Sequence, residues 1–341
     1  LSNHKNFTKQ MTLTPVKKQT KKEPYNPDKG IQELADKLIS VMEKDINPFR
    51  REWSPEADHM NFTTGEYYQN GNLICLEIDK LAQEFEYPYW CGFKQGQKWG
   101  LKIKKGSKSA IILRPVTIKT TEPLEKSKPD GLQVETGSFT LFKPTRVFNI
   151  ACFTGSTPEN QKKLDDKIAS LQKQHEASNF EPLDDRLKKV HEIVVTNYID
   201  KHLRDFSNKG NQAYYDVLFD SITVPDISRF SSNENYYSVV LHEACHSTGS
   251  QERLKRDGIV KACGFGSALY AEEEIITECS AFLLARELKI STTDEQHASY
   301  LKSWCSKLRK DPKFINTILG SAVKAKNFIL NPPKLDKKDN T

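Results

Sequence analysis

The amino-acid sequence predicts an α+β protein with two domains. Its length of 341 residues fits about two domains of ordinary size. The first half contains two stretches of strand character, at 107–119 and 138–148, whereas the second half contains a long helical stretch at 269–288. We therefore expect an α+β N-terminal domain and a C-terminal domain that combines helices with a short sheet.

The first half of the chain predicts one helix, a mixed segment and two strands. Residues 1–28 are rich in lysine and lack apolar periodicity, which indicates a disordered basic arm. Apolar residues at helical spacing predict a helix over 30–44, and 61–80 predicts a hairpin or loop leading into a helix. A polar loop at 121–137 is expected to join the two strands. These elements predict a domain over 29–155.

The second half predicts a helical domain around a short hairpin. Residues 160–178 are charged and helical but have few large apolar side chains, so we expect a connecting segment over 156–190. The elements that follow are a helix at 187–202 and short strands at 213–219 and 221–224. The domain is predicted to span 191–332, with a tail at 333–341.

One helix of this domain has clear start and stop signals. Ser231 and Glu234 match the S-x-x-E capping box, in which a hydroxyl and a carboxyl group satisfy the first backbone N–H groups. Gly249 stands where such a helix would end. The sequence therefore predicts a helix between these two points.

Composition places the chain among intracellular proteins. The net charge is +6, with 37% hydrophobic and 28% charged residues. No stretch approaches the length of a membrane-spanning helix, and the polar N-terminal segment lacks the apolar core of a signal peptide. The seven cysteines are odd in number and form no C-x-x-C pair, which favours reduced thiols. We expect a cytoplasmic protein with no membrane partner.

The predicted helix contains the motif His242-Glu243-Ala244-Cys245-His246. Residues four apart share one face of a helix, so the imidazoles of His242 and His246 can bind one divalent metal ion. Glu243 can then act as the general base toward a water molecule at that metal, and Cys245 should pack away from the ligand face. The expected cofactor is one divalent cation, Zn²⁺, with Mn²⁺ as the alternative.

A third protein ligand is expected to come from the helix at 269–288. A metzincin site would need a histidine where Glu252 stands and a methionine downstream, but the methionines are Met11, Met42 and Met60. Glu274 and Glu278 instead have the E-x-x-x-E spacing of a gluzincin-like arrangement, with one acid on the metal and the other on a histidine. We assign Glu274 as ligand, leave the reverse assignment to Glu278 open, and keep Glu252 as a remote candidate.

A basic stripe in the first domain predicts a surface for nucleic acid. Residues 94–121 contain no acidic side chain and eight basic ones. Aromatic residues lie just before or among them: Tyr87, Tyr89, Trp90, Phe93 and Trp99. Lysines that follow phosphates and aromatic rings that stack on bases are typical of single-stranded DNA binding. The predicted contacts are Lys94, Lys98, Trp99, Lys102, Lys104, Lys105, Lys108 and Tyr89. We expect Trp90 and Phe93 to belong to the core instead.

Several stretches resemble one known family. In the first half they are Pro48-Phe49-Arg50 with Trp53, Tyr68 to Leu73, Tyr89-Trp90, Phe93 to Gln95, Gly100 to Lys108, and Val147 to Asn149. In the second half they are Ala213 to Tyr215, Val224-Pro225, Tyr236-Tyr237, His242 to Gly249, Arg253-Leu254, Phe265-Gly266, Tyr270-Ala271, and Glu273-Glu274 with Glu278. In these stretches the chain resembles the ArdC-type antirestriction proteins of plasmids and other mobile elements.

The resemblance implies an N-terminal domain that is related to the N-termini of TraC-type primases and binds single-stranded DNA. It also implies a C-terminal domain with a zincin-like metallopeptidase fold and a role in protecting incoming DNA from host restriction. Two other functions stay open. One is a DNA-associated metalloprotease that cleaves a repressor or a DNA-bound host protein, and the other is a passive single-stranded DNA-coating protein with a structural metal.

Overall fold

The computed structural model describes residues 27–50, 58–123, 133–176, 181–261, 267–292 and 300–334. Helices and strands alternate in the first part, and helices dominate the second. The α+β class predicted from the sequence is confirmed. The predicted basic arm before residue 27, Trp53, Phe265-Gly266 and the tail from residue 335 lie outside the described residues.

The N-terminal part is built from a mixed four-stranded sheet and three helices. The helices are α1 (Pro27–Met42), α2 (Gly71–Ala82) and α3 (Phe93–Lys98). The strands are β1 (Met60–Asn61), β2 (Tyr89–Cys91), β3 (Leu101–Ile103), β4 (Ala110–Pro123), β5 (Gln133–Asn149) and β6 (Phe153–Gly155). Strands β1, β2, β5 and β4 form the sheet in that order, while β3 and β6 pair separately.

The hairpin of β4 and β5 is longer than the sequence predicts. The strands pair from Ala110 opposite Val147 to Pro123 opposite Gln133, with an irregularity at Thr120 and Thr121. The predicted polar loop at 121–137 is therefore wrong at both ends, because β-branched residues there continue the ladder. Its middle part, 124–132, lies outside the described residues.

The predicted connecting segment contains a helix that packs on the N-terminal core. Helix α4 (Pro158–Glu176) buries Leu164 and Leu171 in the same cluster as Met60 and Phe153. The two leucines are seven residues apart and lie on one face with Ile168, which packs against the same cluster, so a narrow apolar face holds this charged helix.

The C-terminal part combines helices with a three-stranded sheet. The helices are α5 (Leu183–Val190), a π-helical stretch (His191–Ile199), α6 (Asp200–His202), α7 (Asn233–Ser247), α8 (Asp257–Val260), α9 (Ala268–Leu288), α10 (Leu301–Lys310) and α11 (Phe314–Leu330). The strands are β7 (Asp205–Asn208), β8 (Tyr214–Asp216) and β9 (Ser221–Val224). Strand β9 lies between a parallel β7 and an antiparallel β8, so β8 forms one edge. Strand β7 was not predicted.

Helix α7 begins one residue later than the predicted capping box. Ser232, not Ser231, is the N-cap, and its hydroxyl accepts a hydrogen bond of 3.1 Å from the backbone N–H of Asn235. The Glu234 carboxylate instead accepts a hydrogen bond of 2.8 Å from the backbone N–H of Ser291, so it binds a distant part of the chain and not the first turn of its own helix. The predicted capping box of Ser231 and Glu234 is therefore wrong, although the helix that it predicts is present.

The predicted helix stop at Gly249 is confirmed, since α7 ends at Ser247. A Cβ atom at Gly249 would lie 2.7 Å from Ile259 Cγ1 and 3.0 Å from Arg256 Nη2. The glycine therefore allows the chain after α7 to pass close to the segment that supplies Arg256.

Helix α9 lies between two apolar cores and touches both. On one side its residue Phe282 shares a cluster with Leu34 and Leu38 of α1, Ile78 of α2 and Ile318 of α11. Other residues of α9 pack with the π-helical stretch, β9 and α7. Helices from the N-terminal part thus share a core with C-terminal helices. Of the described residues, no helix is both long and apolar enough to span a membrane.

Candidate metal centre

Helices α7 and α9 bring three candidate ligand side chains to one point. Their exposed fractions are 4% for His242, 7% for His246 and 2% for Glu274, so all three are buried. The Nε2 atoms of the two histidines lie 3.1 Å apart. Glu274 places its carboxylate oxygens 3.6 Å from Nε2 of His242 and 3.3 Å from Nε2 of His246. The three ligand atoms all lie within 4.8 Å of one another.

This geometry fits a divalent cation with nitrogen and oxygen ligands. Tetrahedral zinc has bonds of about 2.0–2.2 Å, which separate neighbouring ligand atoms by about 3.3–3.6 Å. The observed separations of 3.1, 3.3 and 3.6 Å lie in or close to that range. Two imidazoles and one carboxylate also suit Mn²⁺, so the ligand set does not choose between the two ions.

The other ring nitrogen of His242 faces the second acid of the E-x-x-x-E pair. Nδ1 of His242 lies 3.4 Å from Glu278 Oε1. Arg50, from the segment after α1, donates to both oxygens of the same carboxylate. A carboxylate at Nδ1 leaves the lone pair of Nε2 available for a metal ion. The structure thus brings Glu274 to the Nε2 side of His242 and Glu278 to the Nδ1 side.

His246 is held in a corresponding way. Its Nδ1 lies 3.4 Å from Glu273 Oε1 and 3.2 Å from the hydroxyl of Thr277. Arg256 donates to both oxygens of Glu273 and also binds the hydroxyl of Thr248 at 2.7 Å. Each histidine is therefore oriented by a glutamate that an arginine holds in turn.

The charges around the site favour an ionised carboxylate at Glu274. Burial opposes ionisation, but the adjacent His246 and His242 hold the pKa of Glu274 below its usual value. Burial likewise opposes a charge on His246, yet the Glu274 carboxylate and the hydrogen bond to Glu273 raise the pKa of His246 to about 10. A divalent cation at this point would replace the proton of His246 as the partner of Glu274.

Glu243 lies beside the ligand cluster and is positioned by the edge of the sheet. It is 7% exposed, and burial raises the pKa of its carboxyl group above the usual value. The backbone of Tyr215, in edge strand β8, lies on the side of this carboxylate and favours its charged form. A buried carboxylate with a raised pKa is suited to take up a proton near neutrality.

Two family comparisons cover most of the chain. Residues 28–148 match the family described as the N-terminal domain of anti-restriction factor ArdC. Residues 194–319 match the family described as zincin-like metallopeptidase. The chain thus joins an ArdC-type N-terminal domain to a zincin-like metallopeptidase domain. The predicted resemblance and the predicted pairing of the two domain types are thereby confirmed.

Relatives of this ArdC-type chain include much longer proteins. Two DNA primases TraC of Escherichia coli are 30% and 29% identical to it over 88% and 90% of its length, and it spans 27% and 20% of theirs. The uncharacterized protein y4eC of Sinorhizobium fredii is 25% identical and matches over 89% of this chain and 92% of its own length.

Solved structures show the same fold. Two crystal structures of antirestriction ArdC from plasmid R388, one metal-free and one Mn(II)-bound, superpose with TM-scores of 0.58 and 0.59. Each covers 88% of this chain and 96% of its own, at 23% sequence identity. At this identity the similarity establishes the architecture, and the Mn(II) ion belongs to the R388 protein.

The lysines predicted for the ArdC-type N-terminal domain lie on its surface. They occupy α3, β3 and the turn that follows β3, and all of them are exposed: Lys94, Lys98, Lys102, Lys104, Lys105 and Lys108. Lys104 Nζ also donates to the backbone oxygen of Ala151 at 2.9 Å. Helix α3 and strand β3 pack against each other, so their charges share one region of the surface.

The aromatic residues of the stripe lie differently from the prediction. Tyr89 is only 1% exposed because β2 is an inner strand of the sheet, so its ring cannot stack on a base and that prediction is wrong. Trp99 is half-buried, with an edge against Phe62 and the ammonium group of Lys163 4.8 Å above its ring. Phe93, predicted for the core, is 49% exposed at the start of α3. The predicted burial of Trp90 is confirmed.

The sequence assigned no role at the metal centre to Arg50, Arg256 or Glu273. Arg50 and Arg256 carry no periodic signal that ties them to the histidines. A sequence signal did exist for Glu273, since it is adjacent to Glu274 on a helix that is buried on all sides. The remote candidate Glu252 is exposed and lies outside the ligand cluster, whereas Cys245 is fully buried in an apolar cluster, as expected.

Proposed function

We propose that this protein binds single-stranded DNA through its N-terminal domain and hydrolyses peptide bonds at a metal centre in its C-terminal domain. Its role would be to protect the DNA of a mobile element from host restriction, with a host or DNA-bound protein as substrate. The observation that carries the proposal is the position of Glu243 between the ligand cluster and edge strand β8.

The residues of the site divide the work of hydrolysis. His242, His246 and Glu274 would hold the cation, which supplies Lewis acidity toward a water molecule and a carbonyl group. Glu243 accepts the proton of the water and passes it to the leaving amine. The backbone of Tyr215 favours the charged form of the Glu243 carboxylate, the form that accepts a proton. Three protein ligands with a carboxylate beside them are typical of a catalytic metal site, whereas a structural site is usually closed by four protein ligands.

The edge strand suggests how a protein substrate would be bound. An edge strand offers unpaired backbone groups, and an extended peptide can add to it as a further strand. Since the backbone of β8 influences the Glu243 carboxyl group, a peptide on this edge would pass close to the ligand cluster. An extended segment of a protein is therefore the substrate class that the site favours.

Binding of single-stranded DNA is supported by the exposed lysines of α3, β3 and the following turn, together with Phe93. Exposed ammonium groups neutralise phosphates and release counterions, so affinity should fall steeply with added salt. The single exposed phenylalanine beside them offers a face on which a base can stack.

The buried free thiols of the described cysteines suit a reducing compartment, which supports a location in the cytoplasm.

The test compares the wild-type chain with a Glu243→Gln variant. The variant should bind metal and single-stranded DNA normally but lose both peptide hydrolysis and protection of transferred DNA from restriction. Normal protection without hydrolysis would make the protein a passive DNA-coating protein. DNA affinity that does not change with salt would contradict the proposed binding surface.

A further inference from the structure

Arg50 reaches the metal centre from the N-terminal part of the chain. Its Nε donates to Glu278 Oε2 at 2.7 Å, and its Nη2 donates to Glu278 Oε1 at 2.6 Å. The Arg50 side chain is 10% exposed and that of Glu278 is 1% exposed. Two parallel bonds from one guanidinium fix the plane of a carboxylate as well as its charge.

The same carboxylate controls His242. Glu278 Oε1, which accepts from Arg50, lies 3.4 Å from Nδ1 of His242. Arg50 Nη2 itself lies 3.5 Å from that nitrogen, so ring, carboxylate and guanidinium are in mutual contact. Rotation of the imidazole is therefore limited by a carboxylate whose own rotation Arg50 limits.

The residue before Arg50 anchors this contact. Phe49 is 1% exposed, and its ring lies edge-on to Phe282 of α9 with 6.4 Å between centroids. The backbone oxygen of Phe49 accepts a hydrogen bond of 2.8 Å from the hydroxyl of Thr292. The segment that carries Arg50 is thus fixed to the C-terminal domain at two points, Phe282 within α9 and Thr292 after its end.

We infer that Arg50 is a positioning residue of the metal centre, so that the N-terminal domain supplies part of the support of a C-terminal ligand. The inference rests on the proposed metal-dependent function. On the other side of the site, His246 is held through Glu273 by Arg256, which belongs to the C-terminal domain. The His242 side is therefore the side through which the N-terminal domain acts on the metal.

Metal affinity of full-length variants tests this inference. Binding of Zn²⁺ and of Mn²⁺ is measured by competition with a chromophoric chelator, at a temperature where circular dichroism shows each variant folded. Arg50→Gln should weaken binding about 10–100-fold, the usual effect of removing a partner of a ligating histidine. Since Arg50 acts through Glu278, the double variant Arg50→Gln/Glu278→Gln should bind no more weakly than Glu278→Gln alone.

Two further variants separate positioning from general loosening of the domain contact. Thr292→Ala removes the neighbouring hydrogen bond to Phe49 without touching a ligand, so its metal affinity should equal that of the wild type. Arg50→Lys keeps the charge but loses the two-pronged geometry, so its affinity should fall between those of Arg50→Gln and the wild type. The absorption spectrum of bound Co²⁺ should change in Arg50→Gln and stay unchanged in Thr292→Ala.

Three results would overturn the inference. Wild-type affinity in Arg50→Gln refutes it and leaves the proposed function intact. An equal loss of affinity in Thr292→Ala shows that the domain contact, not Arg50, is responsible. A wild-type chain that binds no divalent cation overturns the proposed metal centre together with this inference. If Arg50→Gln does not fold, the Arg50→Lys titration and its Co²⁺ spectrum decide the question.

Discussion

Separate replacement of Glu274 and Glu278 by alanine should affect two different properties of the protein. Glu274 lies on the Nε2 side of both histidines, whereas Glu278 lies on the Nδ1 side of His242 and forms a buried ion pair with Arg50. Glu274→Ala should therefore mainly reduce metal affinity, and Glu278→Ala should mainly reduce the free energy of unfolding.

The magnitudes follow from these contacts. Structural zinc sites with four ligands bind with about 10–16 kcal/mol, so loss of one ligand corresponds to about 2.5–4 kcal/mol, or about 10²–10³-fold in affinity. Loss of Glu278 as the partner of His242 should weaken binding only about 10–100-fold. Breaking the buried pair with Arg50 should cost about 3–5 kcal/mol of fold stability. Glu274→Ala should lower the fold stability by less, because His246 can lose its proton and then leaves no unpaired charge in the site.

Two measurements on each variant decide between the roles. Chelator competition at neutral pH gives the metal affinity, and urea denaturation in a buffer that contains excess chelator gives the stability of the metal-free fold. The conservative variants Glu274→Gln and Glu278→Gln serve as controls for the loss of side-chain volume. If Glu278→Ala loses more metal affinity than Glu274→Ala, then Glu278 is the ligand and the reasoning from the two faces of the imidazole is refuted.

Three further predictions concern protons, DNA and packing. Metal uptake at neutral pH should release about one proton from His246, because its neighbours raise the pKa of this histidine to about 10. Metal affinity should therefore rise with pH. Calorimetry in buffers of different ionisation enthalpy measures the released protons, and a pH-independent affinity would contradict the prediction. Phe93→Ala should weaken single-stranded DNA binding by about 1–3 kcal/mol in fluorescence anisotropy, while Phe219→Ala, an exposed phenylalanine of the other domain, should leave it unchanged. Gly249→Ala should lower the free energy of unfolding by about 1–3 kcal/mol, because the new methyl group meets Ile259 at 2.7 Å; undiminished stability in urea would show that the loop can move aside.

The part of the metal centre that could be predicted is the part encoded by helical spacing. His242 and His246 share a face because they are four residues apart, and the same spacing links Glu274 and Glu278. Arg50 could not be found in this way, since it is 228 residues from Glu278 and its local sequence has no periodicity. Contacts of this length depend on how the helices pack, which a single sequence does not reveal.

The basic stripe and the aromatic residues before it show a second limit of sequence reasoning. Tyr89 and Phe93 are both aromatic and only four residues apart, yet one is buried in β2 and the other is exposed in the first turn of α3. The change of face depends on where the strand ends and the helix begins, at Gly92. Such a boundary is not visible in a short aromatic stretch, whereas the charge of the lysines restricts them to the surface in any local structure.

Helices α1 and α2 also bear on how such a chain can be divided or recombined. A fragment that begins after the hairpin of β4 and β5 would expose Phe282 and Ile318, which Leu34, Leu38 and Ile78 now cover. The two family segments should therefore unfold in one transition, and neither should be stable when expressed alone. If recombination replaced one segment by that of a relative, the new segment would need a helix surface that fits the one it packs against. The segments that carry the two proposed functions share one hydrophobic core, so they are coupled in stability even without a ligand.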